Sequence, residues 1–210
     1  MYVETKRPLA LNSYDYLYPL GAIQDNSRNP KFNTKLYVKF HGQVMDLGCA
    51  GGGFVEDCIK DGYFAIGLEG NDYCFKHKKA SWANIPDNLF TCDITYPFTV
   101  HQGDGVPCQF KVITAWEVME HIEKKDLDQL FKNVRKHLAD DGVFMVSIAN
   151  KPSFNKEKTH DLHRIHEDDN WWTERAASAG FSRDKDAEKY FGNDWVRNER
   201  KSFHFVLKRL

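Results

Sequence analysis

The sequence predicts a doubly wound α/β domain, and three observations predict it. Short apolar runs with strand character alternate with amphipathic helical segments between residues 43 and 149. Strands interleaved with helices build a mostly parallel sheet covered on both faces. The first run breaks into a turn of small residues, Gly48-Cys49-Ala50-Gly51-Gly52-Gly53, directly ahead of a helical pattern. The last two apolar runs, near 188–191 and at 202–208, have no helix between them and are expected to pair antiparallel.

Taken in order, residues 1–35 are rich in Tyr, Asn and Pro with weak periodicity, and read as an N-terminal extension packing over the site. A first strand covers 43–47. The pattern Phe54-Val55-Glu56-Asp57-Cys58-Ile59-Lys60 makes a helix over 53–60, closed by Asp61-Gly62. A second strand at 63–68 leads to a helix near 72–83, then a short strand, Leu89-Phe90-Thr91-Cys92, and a longer one at 110–115. Leu127, Leu130, Phe131, Val134 and Leu138 stand at helical spacing and mark a helix over 126–138. Asp140-Asp141-Gly142 turns into a strand at 143–148, followed by a polar loop, 149–168. A helix over 169–179 ends at Gly180, a natural C-cap. The expected organisation is one domain, 1–210, with a core over 43–209.

A chain of 210 residues can bury a substantial core. The net charge of −1 gives no bulk attraction for nucleic acid, which is disfavoured as a partner. No apolar run approaches membrane-spanning length, and Met1-Tyr2-Val3-Glu4-Thr5-Lys6 is not a signal peptide. The cysteines at 49, 58, 74, 92 and 108 form no C-x-x-C pair; the expectation is a reduced, cytoplasmic protein. The sequence specifies no oligomeric state.

Small residues let a ligand lie against the backbone, and the N–H groups opening the following helix bind its negative end. Glu69 closes the second strand, where an acid can accept hydrogen bonds from both hydroxyls of a ribose. A dinucleotide site wants G-x-G-x-x-G, of which Gly48, Ala50 and Gly53 give a degraded version, and Asp46 is no part of it. Met45-Asp46-Leu47-Gly48-Cys49-Ala50-Gly51-Gly52 instead resembles motif I of class I S-adenosylmethionine (SAM)-dependent methyltransferases: an acid, a spacer, then G-x-G-x-G, here with Ala50 at the middle glycine. The resemblance spans about 43–209. It implies a Rossmann-like, mostly parallel seven-stranded sheet with an antiparallel C-terminal hairpin, and SAM as cofactor. It assigns Asp46 to the methionine amine, and Gly48, Cys49, Ala50 and Gly52 to the turn. Glu69 falls to the ribose, Cys92 and Asp93 to the adenine, and Ala115 and Trp116 to the flank of the cofactor.

Trp116-Glu117-Val118-Met119-Glu120-His121 carries a second signal. If 117–122 is a helical turn, Glu117, Glu120 and His121 lie at i, i+3 and i+4 and face one way. Two carboxylates and an imidazole can hold a divalent cation, with hard oxygens favouring Mg²⁺ or Mn²⁺ and zinc also admissible. The pattern is similar to that of ubiquinone-biosynthesis O-methyltransferases and plant small-RNA 2′-O-methyltransferases. That similarity implies a metal site completed by a later histidine, here His163 or His160. The same histidines are candidate catalytic bases, because a hydroxyl must lose its proton to become a good nucleophile. Without a metal, the same residues read as packing beside the cofactor.

Trp171-Trp172 is expected to place one indole in the core and the other on the acceptor pocket. The stretch from Tyr16 to Pro30 resembles the leader of small bacterial and viral methyltransferases associated with glycan genes, with Tyr18 and Arg28 over the cofactor or acceptor. The combined expectation is a SAM-dependent O-methyltransferase acting on a sugar hydroxyl of a glycan or nucleotide sugar. The alternatives are a small aromatic acceptor, an RNA 2′-hydroxyl, or a catalytically silent SAM-binding partner module.

Overall fold

A computed structural model describes residues 1–195 and 202–210. In chain order the elements are β1 (Tyr2–Thr5), α1 (Tyr14–Leu17), α2 (Pro30–Lys39), β2 (Val44–Leu47), α3 (Gly53–Lys60), β3 (Ala65–Glu69) and α4 (Tyr73–His77). They continue with β4 (Leu89–Thr91), β5 (Phe98–His101), β6 (Phe110–Trp116), α5 (Leu127–His137), β7 (Leu138–Ala149), α6 (Asp169–Ser178), β8 (Phe181–Arg183), α7 (Lys185–Phe191) and β9 (Ser202–Arg209). Seven strands form one sheet in the order β4-β3-β2-β6-β7-β9-β8; β4 through β7 run parallel, and β9 is antiparallel to both its neighbours. β1 and β5 make a separate antiparallel ribbon.

Alternate residues of each central strand feed opposite faces of the sheet, as the pleat requires. On one face Met45, Ile66, Ile113 and Phe144 pack with Leu130, Phe131 and Val134 of α5 and Trp172 of α6. On the other, Val44, Ala65, Val112 and Met145 pack with Phe32 and Leu36 of α2, Phe54 and Val55 of α3, and Phe191 of α7. Strands buried on both faces read as continuous apolar runs, which is why they were visible in the sequence. Among the described residues no helix is long and apolar enough to cross a membrane.

The structure corrects three sequence expectations. The helix over 72–83 is broken: α4 ends at His77, its C-cap Lys78 takes φ +47°, and a 3₁₀ turn resumes at Ala80. The strand near 188–191 is instead helix α7, capped by Asp184 accepting from the Ala187 amide. Ala187 and Phe191, one helical turn apart, are both buried, so the apolar run had period 3.6 rather than 2. β9 does have an antiparallel partner at the edge of the sheet, β8, but α7 lies between the two in the chain, so they form no hairpin. The Asp140-Asp141-Gly142 turn is absorbed into β7 as an irregularity opposite β6, where the register shifts between Phe110 and Val112.

The N-terminal segment is pinned to the head of the sheet by one buried side chain. Asn26 Nδ2 donates to Asp46 Oδ2 at 2.8 Å, and its Oδ1 accepts from the Phe54 amide at 3.1 Å, an otherwise unpaired N–H in the first turn of α3. Asn26→Ala strands a buried carboxylate oxygen and a helix N–H together. The expected cost is about 1–3 kcal/mol, seen as a lower thermal midpoint in calorimetry with the secondary structure retained.

Candidate functional site

A cavity of about 1080 Å³ opens at the carboxyl ends of the parallel strands, where open α/β sheets bind their ligands. Its walls come from the glycine turn after β2, the ends of β3, β4 and β6, the loop 149–168, the start of β9, and the N-terminal segment from Arg7 to Arg28.

At one end Gly48, at φ +68°, and Ala50, at φ +47°, turn the chain away from β2. A Cβ on Gly48 would lie 2.6 Å from Val118 Cγ2, so glycine is needed there for space as well as conformation. Ala50 adopts a left-handed backbone that costs a non-glycine residue free energy. It is held there because its amide donates to Glu69 Oε2 at 2.8 Å and its carbonyl accepts from Trp82 Nε1 at 2.9 Å. Glu69 Oε1 accepts from the Asn71 amide at 3.0 Å. The Glu69 carboxylate therefore ties the turn to the end of β3, and burial pushes its pKa up to about 7 despite these two amides. Asp93 lines the cavity beyond β4, with Oδ1 accepting from the Thr95 amide and hydroxyl and its own amide donating to the Arg7 carbonyl. Cys92 and Trp116 also line the cavity.

Other expected residues stand behind the wall. Asp46 is fully buried, with Oδ1 accepting from Thr114 Oγ1 at 2.6 Å and Oδ2 from Asn26, and burial raises it to about 7. Cys49, Gly52 and Ala115 are absent from the lining: Cys49 packs against Gly67, Gly52 precedes α3 at φ +84°, and Ala115 lies in the core. Trp116 Nε1 is a buried donor without a partner among the described residues, and the Arg28 guanidinium lies 4.4 Å over its ring. An orphaned donor, a buried cation and two strand-end carboxyls around a left-handed turn fit an amino-acid-bearing nucleoside such as SAM.

At the other end the chain does not form the single helical turn expected over 117–122. Glu117 takes φ +57°, its amide donates to Ser147, and only Met119–His121 form a 3₁₀ turn. The donor atoms of Glu120, His121 and His163 come within 4.8 Å of one another; Glu117 is not in that group. Glu120 is fully buried, with Oε1 accepting from the Ala149 amide and Oε2 without a partner among the described residues, and burial pushes it up to about 8. Burial works against a charge on His121, but Asp15, 3.0 Å from its Nδ1, and the two glutamates outweigh it and push it up to about 9. Burial holds His163 below its ordinary value, as does the neighbouring His121.

His160 does not line the cavity; it stacks on Tyr18 and meets the edge of Tyr14, clasping the loop to α1. Neither tryptophan of 171–172 lines it either: Trp172 is core, and Trp171 sits under Lys124. Sequence reasoning passed over Arg7, Asn26, Asn71 and His204. Asn71, two residues after Glu69, carried the clearest signal, since Asx side chains organise a chain leaving a strand; its Nδ2 donates to the carbonyls of Asp15 and Tyr16.

The model of a methyltransferase domain matches residues 23–185, and the chain belongs to that family. Solved structures with the same fold include a TehB-like SAM-dependent methyltransferase from Corynebacterium glutamicum, 12% identical over 85% of this chain and 87% of that one, with a TM-score of 0.62. A SAM-dependent methyltransferase from Clostridium acetobutylicum is 14% identical over 93% and 96%, with a TM-score of 0.58. The glycopeptide N-methyltransferase MtfA, complexed with S-adenosylhomocysteine (SAH), is 12% identical over 88% of each chain, with a TM-score of 0.56. No curated protein matches the chain in sequence. The protein is a class I SAM-dependent methyltransferase.

Glu69→Ala removes a carboxylate that can accept two charge-assisted bonds from a ribose. Titration calorimetry should give SAM affinity weaker by roughly 30- to 1,000-fold, or about 2–4 kcal/mol. In the wild-type protein SAM affinity should rise as pH rises through about 7, because the ionised Glu69 is the better acceptor. The same raised values carry a stability consequence. Asp46 and Glu69 bind their protons more tightly folded than unfolded, so they make the ligand-free protein less stable as pH climbs from their ordinary range to about 7. His137, held down at about 4 by burial, pulls the other way below its ordinary value with or without ligand, so the readout is the difference: thermal midpoints without SAM should fall relative to those with SAM as pH climbs across that window.

Proposed function

We propose that the protein transfers the methyl group of SAM to a hydroxyl of a sugar, in a glycan or nucleotide sugar. The observation that carries this reading is the continuity of the cavity. The wall formed by Gly48, Glu69 and Asp93 runs without a break into one formed by Glu117, His121, His163 and Arg164. When bound, SAM supplies an already activated methyl group, and Gly48, Ala50, Glu69, Asp93 and Trp116 would hold it. Arg28 joins that set from the N-terminal segment. The far end is rich in groups that accept or donate hydrogen bonds, and Phe154 adds an exposed ring, a combination suited to a polyhydroxyl compound. The tryptophan pair contributes nothing to this argument, since neither ring reaches the cavity.

Glu120, His121 and His163 would hold a divalent metal at this end. The buried Glu120 Oε2, unpartnered among the described residues, fits a cation, as does the clustering of the three donors. One carboxylate and two imidazoles form a set better matched to zinc or manganese than to magnesium, which wants more oxygen. Such a metal lowers the pKa of a bound hydroxyl. An amine acceptor is the second reading. The Glu117 carboxylate lines the cavity and takes no ion pair among the described residues, which suits a cationic acceptor, and one similar structure is a glycopeptide N-methyltransferase.

A panel of glycans, nucleotide sugars, catechols, peptides with free amines, and RNA, incubated with labelled SAM, separates these readings. Label on a sugar oxygen is the expected result; label only on nitrogen, catechol or RNA contradicts it. Activity should be lost in chelator and return with Zn²⁺ or Mn²⁺ while SAM affinity stays unchanged. Full activity in chelator removes the metal from the account.

A further inference from the structure

His204 belongs to neither end described above, yet it lies on the wall between them. β9 runs antiparallel to β7, so the start of β9 comes alongside the ends of the parallel strands. His204 stands opposite Ser147, which stands opposite Trp116. Residues paired across a sheet share a face. The row Trp116, Ser147, His204 therefore points one way, and its two ring-bearing members line the cavity together with Glu117 and Ser202.

The tautomer follows from one contact. His204 Nδ1 lies 3.1 Å from the Ser202 carbonyl oxygen. A carbonyl only accepts, so Nδ1 carries the hydrogen and Nε2 of the neutral ring keeps its lone pair. Trp195 packs against the ring with centroids 5.1 Å apart and fixes its plane. Burial and the Arg28 cation hold the ring below its ordinary pKa, with Glu117 pulling the other way, which keeps it neutral near pH 7. The other cavity imidazoles are differently committed. His121 faces Asp15, and His163 shares a donor cluster with His121 and Glu120.

We propose that His204 is the proton acceptor of the methyl transfer, taking at Nε2 the proton that the acceptor's nucleophile loses. The proposal rests on reading the far end of the cavity as the acceptor site. As the acceptor's O–H (or N–H) bond breaks, its proton passes to Nε2. The new bond to the methyl carbon forms while the carbon–sulfur bond of the sulfonium breaks, and that electron pair stays on sulfur. The His204 imidazolium then returns the proton to solvent. Arg28, on the N-terminal segment, disfavours the imidazolium, and Glu117, just after β6, favours it.

Two measurements test this. With whichever acceptor the panel yields, His204→Gln should lower kcat by roughly 10²- to 10⁴-fold, leave SAM affinity unchanged, and abolish the rise of kcat with pH on the acid side. A purely structural role would instead move SAM affinity and thermal stability together and leave the shape of the pH profile intact. A variant with wild-type kcat and profile overturns the assignment but leaves the sugar-hydroxyl reading standing. Nitrogen-only methylation ends that reading and leaves His204 to be decided by the same variant. The second measurement needs no acceptor. Imidazole ¹⁵N NMR of the protein with SAH bound should show His204 protonated at Nδ1 and bare at Nε2 near neutral pH. A ring carrying its hydrogen on Nε2, or on both nitrogens, overturns the proposal.

Discussion

The structure turns on a buried carboxylate at the end of the central strand. Asp46 is sealed from solvent and satisfied by two neutral donors, Thr114 from the adjacent strand and Asn26 from the N-terminal segment. A buried acid needs such partners, and supplying them dictates where the other parts go. Thr114 fixes the register of β6 beside β2. Asn26 draws the N-terminal segment across the head of the sheet, where its carbonyl side also caps the first turn of α3. The segment so placed becomes one wall of the cavity. Asp46 thus governs the site's shape without reaching its surface.

Glu69 plays the complementary part on the cavity side. Its two oxygens bind the amides of Ala50 and Asn71, one in the turn after β2 and one after β3. This bond is what keeps an alanine in a left-handed conformation that glycine would adopt more cheaply. Asn71 extends the chain of contacts to α1 through the carbonyls of Asp15 and Tyr16, and Asp15 reaches across to His121. The nucleoside end and the histidine end are therefore linked through the N-terminal segment as well as through the sheet.

Much of this was legible in the sequence because the central strands are buried on both faces and the turn is written in small residues. α3 was read to its residue bounds, since its amphipathic pattern is bracketed by glycines. Glu69 and Asp93 were identifiable as residues ending strands. What escaped was set by distant partners. Nothing local marks Asn26 as the mate of Asp46, or places His204 opposite Ser147; both depend on sheet order. The i, i+3, i+4 spacing of Glu117, Glu120 and His121 suggested one face, but the left-handed backbone at Glu117 separates it from the other two. α7 was read as a strand because its seven residues are too few to show a helical period clearly.

One cavity would hold a nucleoside at the Glu69–Asp93 end and the acceptor at the Glu117–His163 end, with His204 on the wall between them and the N-terminal segment above. A crystal structure of the protein with SAH tests it most directly. The account requires the ribose hydroxyls on Glu69, the adenine amine at Asp93, and the sulfur directed toward Glu117 with Asn26 still bonded to Asp46. An adenine lodged among His121, His163 and His204, or a ribose that leaves Glu69 untouched, would contradict it.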